Sequence, residues 1–354
     1  MNTQYDSTDT PPQPVSRLGL YLPVGLLVVA ALLWSGFWWL GLQTAASSID
    51  RWLSAEASVG REWSCNDRTL GGYPFRLELR CSSVSLQAIV DGKPSVAKLG
   101  GLTIVAQIYN PKLALADLEA PLAIDAGAIH GVVKWDSLRV SLRVGLNQLQ
   151  RVSLVAAQPS AQYTVENGEN YETRAQGMEI HLRSDGESPA QGKGVDVSLM
   201  ATGAEIPPLD VFAGTTDKTD VSLTGLVSQV TGLRAGGWRS SLETWRNQGG
   251  HIDVQSARVT KGTMRADISG LLDLDAEHRV QGKLTASAIG AAPLLAKLGM
   301  SSGGPLKQAL GGLLGKRADA FVGAATSLQW PVRFQDGRVF VGPLKTPMEL
   351  RPLY

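Results

Sequence analysis

The stretch VVKWDSLRVSLRV, Val132 to Val144, decides the fold class. Val133 and Trp135 alternate with Lys134 and Asp136. The apolar positions then resume at Leu138, Val140, Leu142 and Val144, with Arg139, Ser141 and Arg143 between them. Successive side chains on a strand point to opposite faces, so this period puts the aliphatic set on one face and the arginines on the other. The period recurs upstream in GLTIVAQIY at Leu102, Ile104, Ala106 and Ile108. Downstream it returns at Met178, Ile180 and Leu182, at Val195, Val197 and Leu199, at Val221 and Leu223, at Ile252 and Val254, at Ala266 and Ile268, and at Leu272 and Leu274. Gly92, Pro94, Pro111, Gly168, Gly186 and Gly262 punctuate the runs. Alternating strands with tight turns and few helices predict a mainly β chain built on an antiparallel sheet.

The expected sheet is elongated and curved, a groove or open sandwich with one apolar and one wet face. Leu102, Ile104, Ile108, Val140, Leu142, Val144, Ile252, Val254, Ile268 and Leu272 would line the apolar side. The same pattern fills the core of a closed sandwich, and aliphatic strands alone do not separate the two. Helical periodicity is confined to WRSSLETWRNQGG, where Trp238, Leu242 and Trp245 share a side before Gly249, and to a C-terminal amphipathic stretch carrying Leu294, Leu298, Leu306, Leu310 and Leu313 ahead of Lys316 and Arg317. That stretch fits a lid over the sheet, and it also fits an interfacial helix.

At the other end, Leu18 to Leu42 reads LGLYLPVGLLVVAALLWSGFWWLGL without a charged residue. As a helix it rises about 37 Å at 1.5 Å per residue, enough for a hydrocarbon core ~30 Å thick. The run is longer than the apolar core of a secretory signal, although Thr44 to Ser47 are small enough to be cut. Trp34, Trp38 and Trp39 gather at its C-terminal end, where an aromatic belt would sit. The expected organisation is a disordered cytoplasmic tail (1–17), a transmembrane anchor (18–42), a membrane-proximal helix (43–60) that continues off the membrane or lies along it, and a periplasmic β-rich domain (61–354).

Cys65 and Cys81 are the only cysteines and both follow the anchor. A pair in so short a span fits a disulfide in an oxidising compartment, with two buried free thiols as the alternative. The expected location is therefore a bacterial inner membrane, crossed once, with the C-terminal domain in the periplasm. The net charge of +1 gives no electrostatic case for nucleic acid.

The search for chemistry finds little. The histidines at 130, 181, 251 and 278 are scattered, and His181 and His251 read as solvated strand residues. Gly299 to Gly303 fits GxSxG around Ser301, but a helical segment precedes it where a nucleophile elbow needs a strand. Asp273 and Asp275 look like solvent-facing turn residues. No catalytic residue, metal site or cofactor is expected, and the chain reads as a non-enzyme.

One motif stands apart: Gly71, Gly72, Tyr73, Pro74, Phe75 and Arg76, between Trp63–Ser64–Cys65 and Cys81. The glycines give access to positive φ, Pro74 favours an extended Tyr73, and the alternation from Phe75 launches a strand. Tyr73 and Phe75 as ligand contacts are the sharper reading of the same turn. An anchor, a Trp–Cys pair, GGYPFR and a second cysteine together resemble an uncharacterised proteobacterial envelope family, DUF 2125, and the ending Phe334 to Pro343 resembles that family's ending. The block from Trp245 to Gly290 is more loosely similar to AsmA-like envelope proteins. That resemblance implies a membrane-tethered β-groove associated with lipid handling and carries over no catalytic residue. The expected partners are membrane lipid, as anchor and as acyl-chain ligand, with docking to an envelope protein complex as the alternative.

Overall fold

A computed structural model describes residues 18–90, 92–126, 129–145, 149–164, 168–185, 194–230, 238–290, 328–342 and 344–354. The chain opens with α1 (Leu18–Ser58). There follow β1 (Arg61–Asn66), β2 (Thr69–Gly71), β3 (Arg76–Cys81), β4 (Ser83–Val90), β5 (Lys93–Gln107), β6 (Asn110–Ala126), β7 (Ile129–Lys134), β8 (Ser137–Val144), β9 (Leu149–Ala157), β10 (Ser160–Thr164), β11 (Asn170–Arg174), β12 (Gly177–Asp185) and β13 (Gly194–Ala204). The remainder is α2 (Pro207–Ala213), β14 (Thr219–Val227), α3 (Trp238–Asn247), β15 (Ile252–Lys261), β16 (Met264–Leu274), β17 (Val280–Ile289), β18 (Leu328–Gln335), β19 (Arg338–Val341) and β20 (Leu344–Glu349). The described strands form one antiparallel sheet, as the period-two pattern predicts.

The pairings resolve into a plain meander of long, bent strands. β1 with β2, β3 with β4, β7 with β8, β9 with β10, and β11 with β12 are each one line of chain interrupted at a bend. Each line pairs with its neighbours on both sides of that bend. β5 and β6 cross the same line without a break, through a register shift between Leu99 and Gly101. The interruptions at Asp67, Ser82, Asp136, Gln158 and Gln176 thus form a seam across the sheet. Asp67 and Gln158 take positive φ there. Gly100 has no alternative on the seam, because a Cβ would stand 2.5 Å from the Ala120 carbonyl oxygen. Trp135 is buried at the corner and donates its indole N–H to the Leu118 carbonyl at 2.8 Å. Bulges and bends of this kind turn a sheet locally without ending its pairing. The strands from β13 onward continue from β12 alone, on the lower side of the seam.

Below the seam, register keeps the aliphatic residues on one face from strand to strand. Ile104 pairs with Ala116, Ala116 with Val140, Val140 with Leu154, Leu154 with Ile180, Ile180 with Leu199 and Leu199 with Leu223. The row continues through Ala257, Ile268, Ala286 and Trp330. The opposite face carries a parallel row, Ser141, Ser153, His181, Ser198 and Thr224. The large aliphatic members of the apolar row keep intermediate exposure. Among the described residues the buried hydrophobics are mainly small or lie at the corner and under α3: Cys81, Ile108, Ala116, Trp135, Ala156, Ala204, Ala213, Trp245, Val254 and Val339. Two sheets packed face to face would bury such a row.

α1 runs without a break from Leu18 to Ser58, so the segment after residue 42 continues the helix, one of the two courses expected for it. α2 was not anticipated: Pro207 and Pro208 start it and Gly214, at φ 75°, closes it in the left-handed conformation. The amphipathic stretch after Gly290 and Ser301 within it lie outside the described residues.

Candidate functional site

The GGYPFR turn folds against α1. Gly72 adopts φ +102°, and a Cβ there would lie 2.7 Å from the Arg76 carbonyl oxygen, so this glycine is required by the turn. The Arg76 N–H donates back to the Gly72 carbonyl at 3.1 Å, closing it. Tyr73–Pro74 is cis. Trp34 donates its indole N–H to the Pro74 carbonyl and Trp38 donates to the Arg76 carbonyl, both at 2.9 Å. Ser35 and Tyr73 share a hydroxyl hydrogen bond at 2.9 Å. Trp38 meets Tyr73 edge-on at 5.3 Å, and Trp34 lies 5.9 Å from Phe75. The β5–β6 turn joins this foot: Ile108 donates its backbone N–H to the Phe75 carbonyl at 3.1 Å and packs on Gly41. Tyr73, Phe75 and Tyr109 nonetheless stay 57%, 61% and 63% exposed.

Further along α1, Trp52 packs on Trp63 at 5.5 Å and Asp50 accepts a hydrogen bond from Arg68 at 2.8 Å. The first line of the sheet therefore runs antiparallel to α1 for most of its length. Cys65 and Cys81 form a disulfide with Cα atoms 5.2 Å apart, fastening β1 to the end of β3. α1 is long and apolar enough to cross a membrane.

The residues expected to line an apolar groove fall in three places. Leu102, Ile104, Val140, Leu142, Val254 and Ile268 lie on the apolar face of the lower sheet. Ile252 and Leu272 share that face but sit at its far end, in a cavity of about 250 Å³ between the sheet and α3, with Leu242, Trp245 and Leu353 opposite them. Ile108 is buried in the foot against α1, and Val144 stands at the rim of β8 beyond a register shift, exposed. Backbone register unites the eight face residues. Only their alternation was visible in the sequence.

α3 is held by a polar clasp that sequence reasoning missed. Trp245 is buried and donates its indole N–H to the Ser228 carbonyl at 2.7 Å. Glu243 accepts hydrogen bonds from Arg246 at 2.6 Å and from the Tyr354 hydroxyl at 2.9 Å, and His278 Nε2 lies 3.1 Å away. Arg246 first, then Tyr354, pull the Glu243 carboxyl down to about 2. Burial followed by the Glu243 hydrogen bond pushes the Tyr354 hydroxyl up. The Tyr354 ring stacks on His278 at 4.3 Å, and Leu353 donates to the His278 carbonyl at 3.0 Å. Tyr354 lies more than a hundred residues from Glu243, and no local pattern signals the pair.

Other polar residues depart from expectation. Asp275 is not a solvent-facing turn residue: its side chain is only 10% exposed, and it accepts from the Arg279 guanidinium and from the N–H groups of Glu277 and Arg279. Burial pushes its pKa up, but the Arg279 hydrogen bonds outweigh that and leave it below the usual range. Asp273 carries an oxygen buried without a hydrogen-bond partner. His181 lies on the wet face beside Glu179 at 3.2 Å, as expected. His251 instead precedes β15 and is tied through Nδ1 to the Ser228 hydroxyl at 2.9 Å. Lys261 is 3% exposed and reaches Asp210 of α2 at 2.6 Å and Thr219 at 3.3 Å, which pins α2 to the strand ends. Among the described residues no three His, Cys, Asp or Glu side chains are grouped as metal ligands.

The family model described as "Uncharacterized protein conserved in bacteria (DUF2125)" matches residues 38–347, which include the foot, the disulfide and most of the sheet. No curated protein matches the sequence. The chain belongs to the DUF2125 family.

Proposed function

We propose that this member of the family is a single-pass inner-membrane protein whose periplasmic sheet holds the acyl part of a lipid on its apolar face, without carrying out chemistry on it. The observation that carries the reading is the aliphatic row running from Ile104 to Ile268, whose large members keep intermediate exposure. Covering it removes apolar surface from water at ~25 cal/mol per Å². A hydrocarbon layer takes about 20 helical residues, so a span starting at Leu18 ends near Phe37. Trp34 and Trp38 then bracket its outer edge, and their hydrogen bonds to Pro74 and Arg76 hold the foot at that depth. Tyr73, Phe75 and Tyr109, exposed on the foot, suit the headgroup boundary. The apolar face begins beside the foot, at Leu77 and Ala106, giving a lipid tail a continuous route from bilayer to sheet. The disulfide fits the oxidising side of that membrane. The picture accords with the tethered groove that the looser AsmA-like resemblance implies.

Native mass spectrometry of the full chain released in mild detergent tests this. Bound phospholipid is the expected result, reduced at least tenfold by Leu154→Asp together with Ile180→Asp. Lipid-free masses combined with no uptake of a fluorescent fatty acid would end the proposal. Docking to an envelope protein is the second reading, favoured by β11, whose outer edge carries among the described residues a single bridge, Arg174 to Glu205. In-membrane crosslinking from Tyr171 that yields one dominant protein adduct would support it.

A further inference from the structure

The wet face of the lower sheet holds a second feature that the lipid reading does not use. Strand register sets Arg143 of β8 opposite Arg151 of β9, and Arg151 opposite Arg183 of β12. Directly opposed residues have Cβ atoms about 5 Å apart, and like charges placed so are destabilising. Arg183 is matched by Asp196, its own cross-strand partner, at 3.0 Å. Three arginines against one aspartate leave this part of the row at +2. The next row along the strands, on the same face, is Ser141, Ser153, His181, Ser198 and Thr224. The two rows meet in a concavity of about 460 Å³ whose charged lining is Arg151, Arg183 and Asp196, with Ser153, Ser198 and Thr224 beside them; Arg143 stands outside it, one strand further along the row.

We propose that this concavity binds a phosphate group. Guanidinium forks match phosphate oxygens bidentately, and serine and threonine hydroxyls donate to the oxygens that remain. An anion seated beside Arg151 and Arg183 turns their mutual repulsion into shared attraction, and Arg143, next in the register, adds to the positive field there. The arginines lie toward the ends of β8, β9 and β12 on the same side as the GGYPFR turn. A lipid headgroup and a free phosphate compound are both sources of this chemistry. The site is on the opposite face from the aliphatic row and stands whether or not that row holds an acyl chain.

The test is calorimetric titration of the full chain in neutral detergent micelles with two probes, inorganic pyrophosphate and monomeric dihexanoyl-phosphatidylglycerol. Binding is expected, weakened at least tenfold by Arg151→Ala and less by Arg143→Ala, which lies outside the concavity. Arg265→Ala, on the same face but held by Asp267 at 2.8 Å, should leave it unchanged. Tighter binding of the lipid, with pyrophosphate competing, identifies a headgroup. Pyrophosphate binding at least as tight as the lipid identifies a free phosphate ligand. No heat from either probe, or equal affinity in Arg151→Ala, overturns the proposal. The melting temperature separates binding from folding: relieving repulsion should leave Arg151→Ala as stable as the parent or more so, and a fall of many degrees would mark the arginine as structural and also overturn it.

Discussion

The sheet is braced by a helix at each end, and the two braces differ in kind. At the start, α1 is tied to the foot by Trp34 and Trp38 indoles, a hydroxyl pair and aromatic contacts, with a disulfide just behind. At the far end, α3 also uses an indole, Trp245 to Ser228, but the segment that covers it is held by Glu243, Arg246, Tyr354 and His278. The foot contacts are made by indoles, hydroxyls, aromatic rings and backbone groups, whereas the clasp centres on a carboxylate, Glu243, that loses its charge in acid. The difference teaches that an attachment to the long apolar helix can rest on neutral groups, whereas the cover over the apolar cavity depends on charge.

The comparison breaks most readily at Trp245. Trp245→Ala removes a buried ring and should cost about 3–5 kcal/mol, read by chemical denaturation. Fast proteolysis near α3 is expected while the foot stays protected, and equal loss at both ends would mean the two braces fold as one unit. Replacing Cys65 and Cys81 by alanine should cost about 3 kcal/mol on the chain-entropy account, with exposure confined to β1–β4. Trp34→Phe keeps the ring and deletes one donor, at about 1 kcal/mol, and should shift the fluorescence of the foot without disturbing α3.

The smallest effect sharpens the contrast in pH. Glu243 has its folded pKa lowered from 4.5 to about 2. Its contribution is therefore fully present above pH 4.5 and is lost as pH falls toward 2. The Leu353 amide should lose hydrogen-exchange protection across that window while the Trp34 and Trp38 indole protons keep theirs. Glu243→Gln should abolish the pH dependence. Persistence of protection at Leu353 down to about pH 2 would detach the tail from the carboxylate.

Some of this was legible in the chain. The alternation of Leu138, Val140 and Leu142 with Arg139 and Ser141 predicted a strand, because a period of two has one structural meaning at that length. The GGYPFR turn was visible because glycine and proline restrict backbone geometry locally. The cysteines were close enough to suggest their bridge. The clasp was not legible, since Tyr354 and Glu243 meet only after the sheet has brought α3 and the final segment together. Asp275 misled for a related reason: an aspartate in a turn reads as exposed until its Arg279 contact is known.

By itself the sequence determined a helix long enough to cross a bilayer, the strand class, and which residues of each strand share a face. These follow from run length and period, both properties of the chain alone. Only the tertiary structure decided that the faces align across neighbouring strands, that a seam of bends crosses them, and that the first turn is fastened beside Trp34. Register and docking are set by pairing between residues distant in sequence, and a one-residue slip would have sent every aliphatic side chain to the other face.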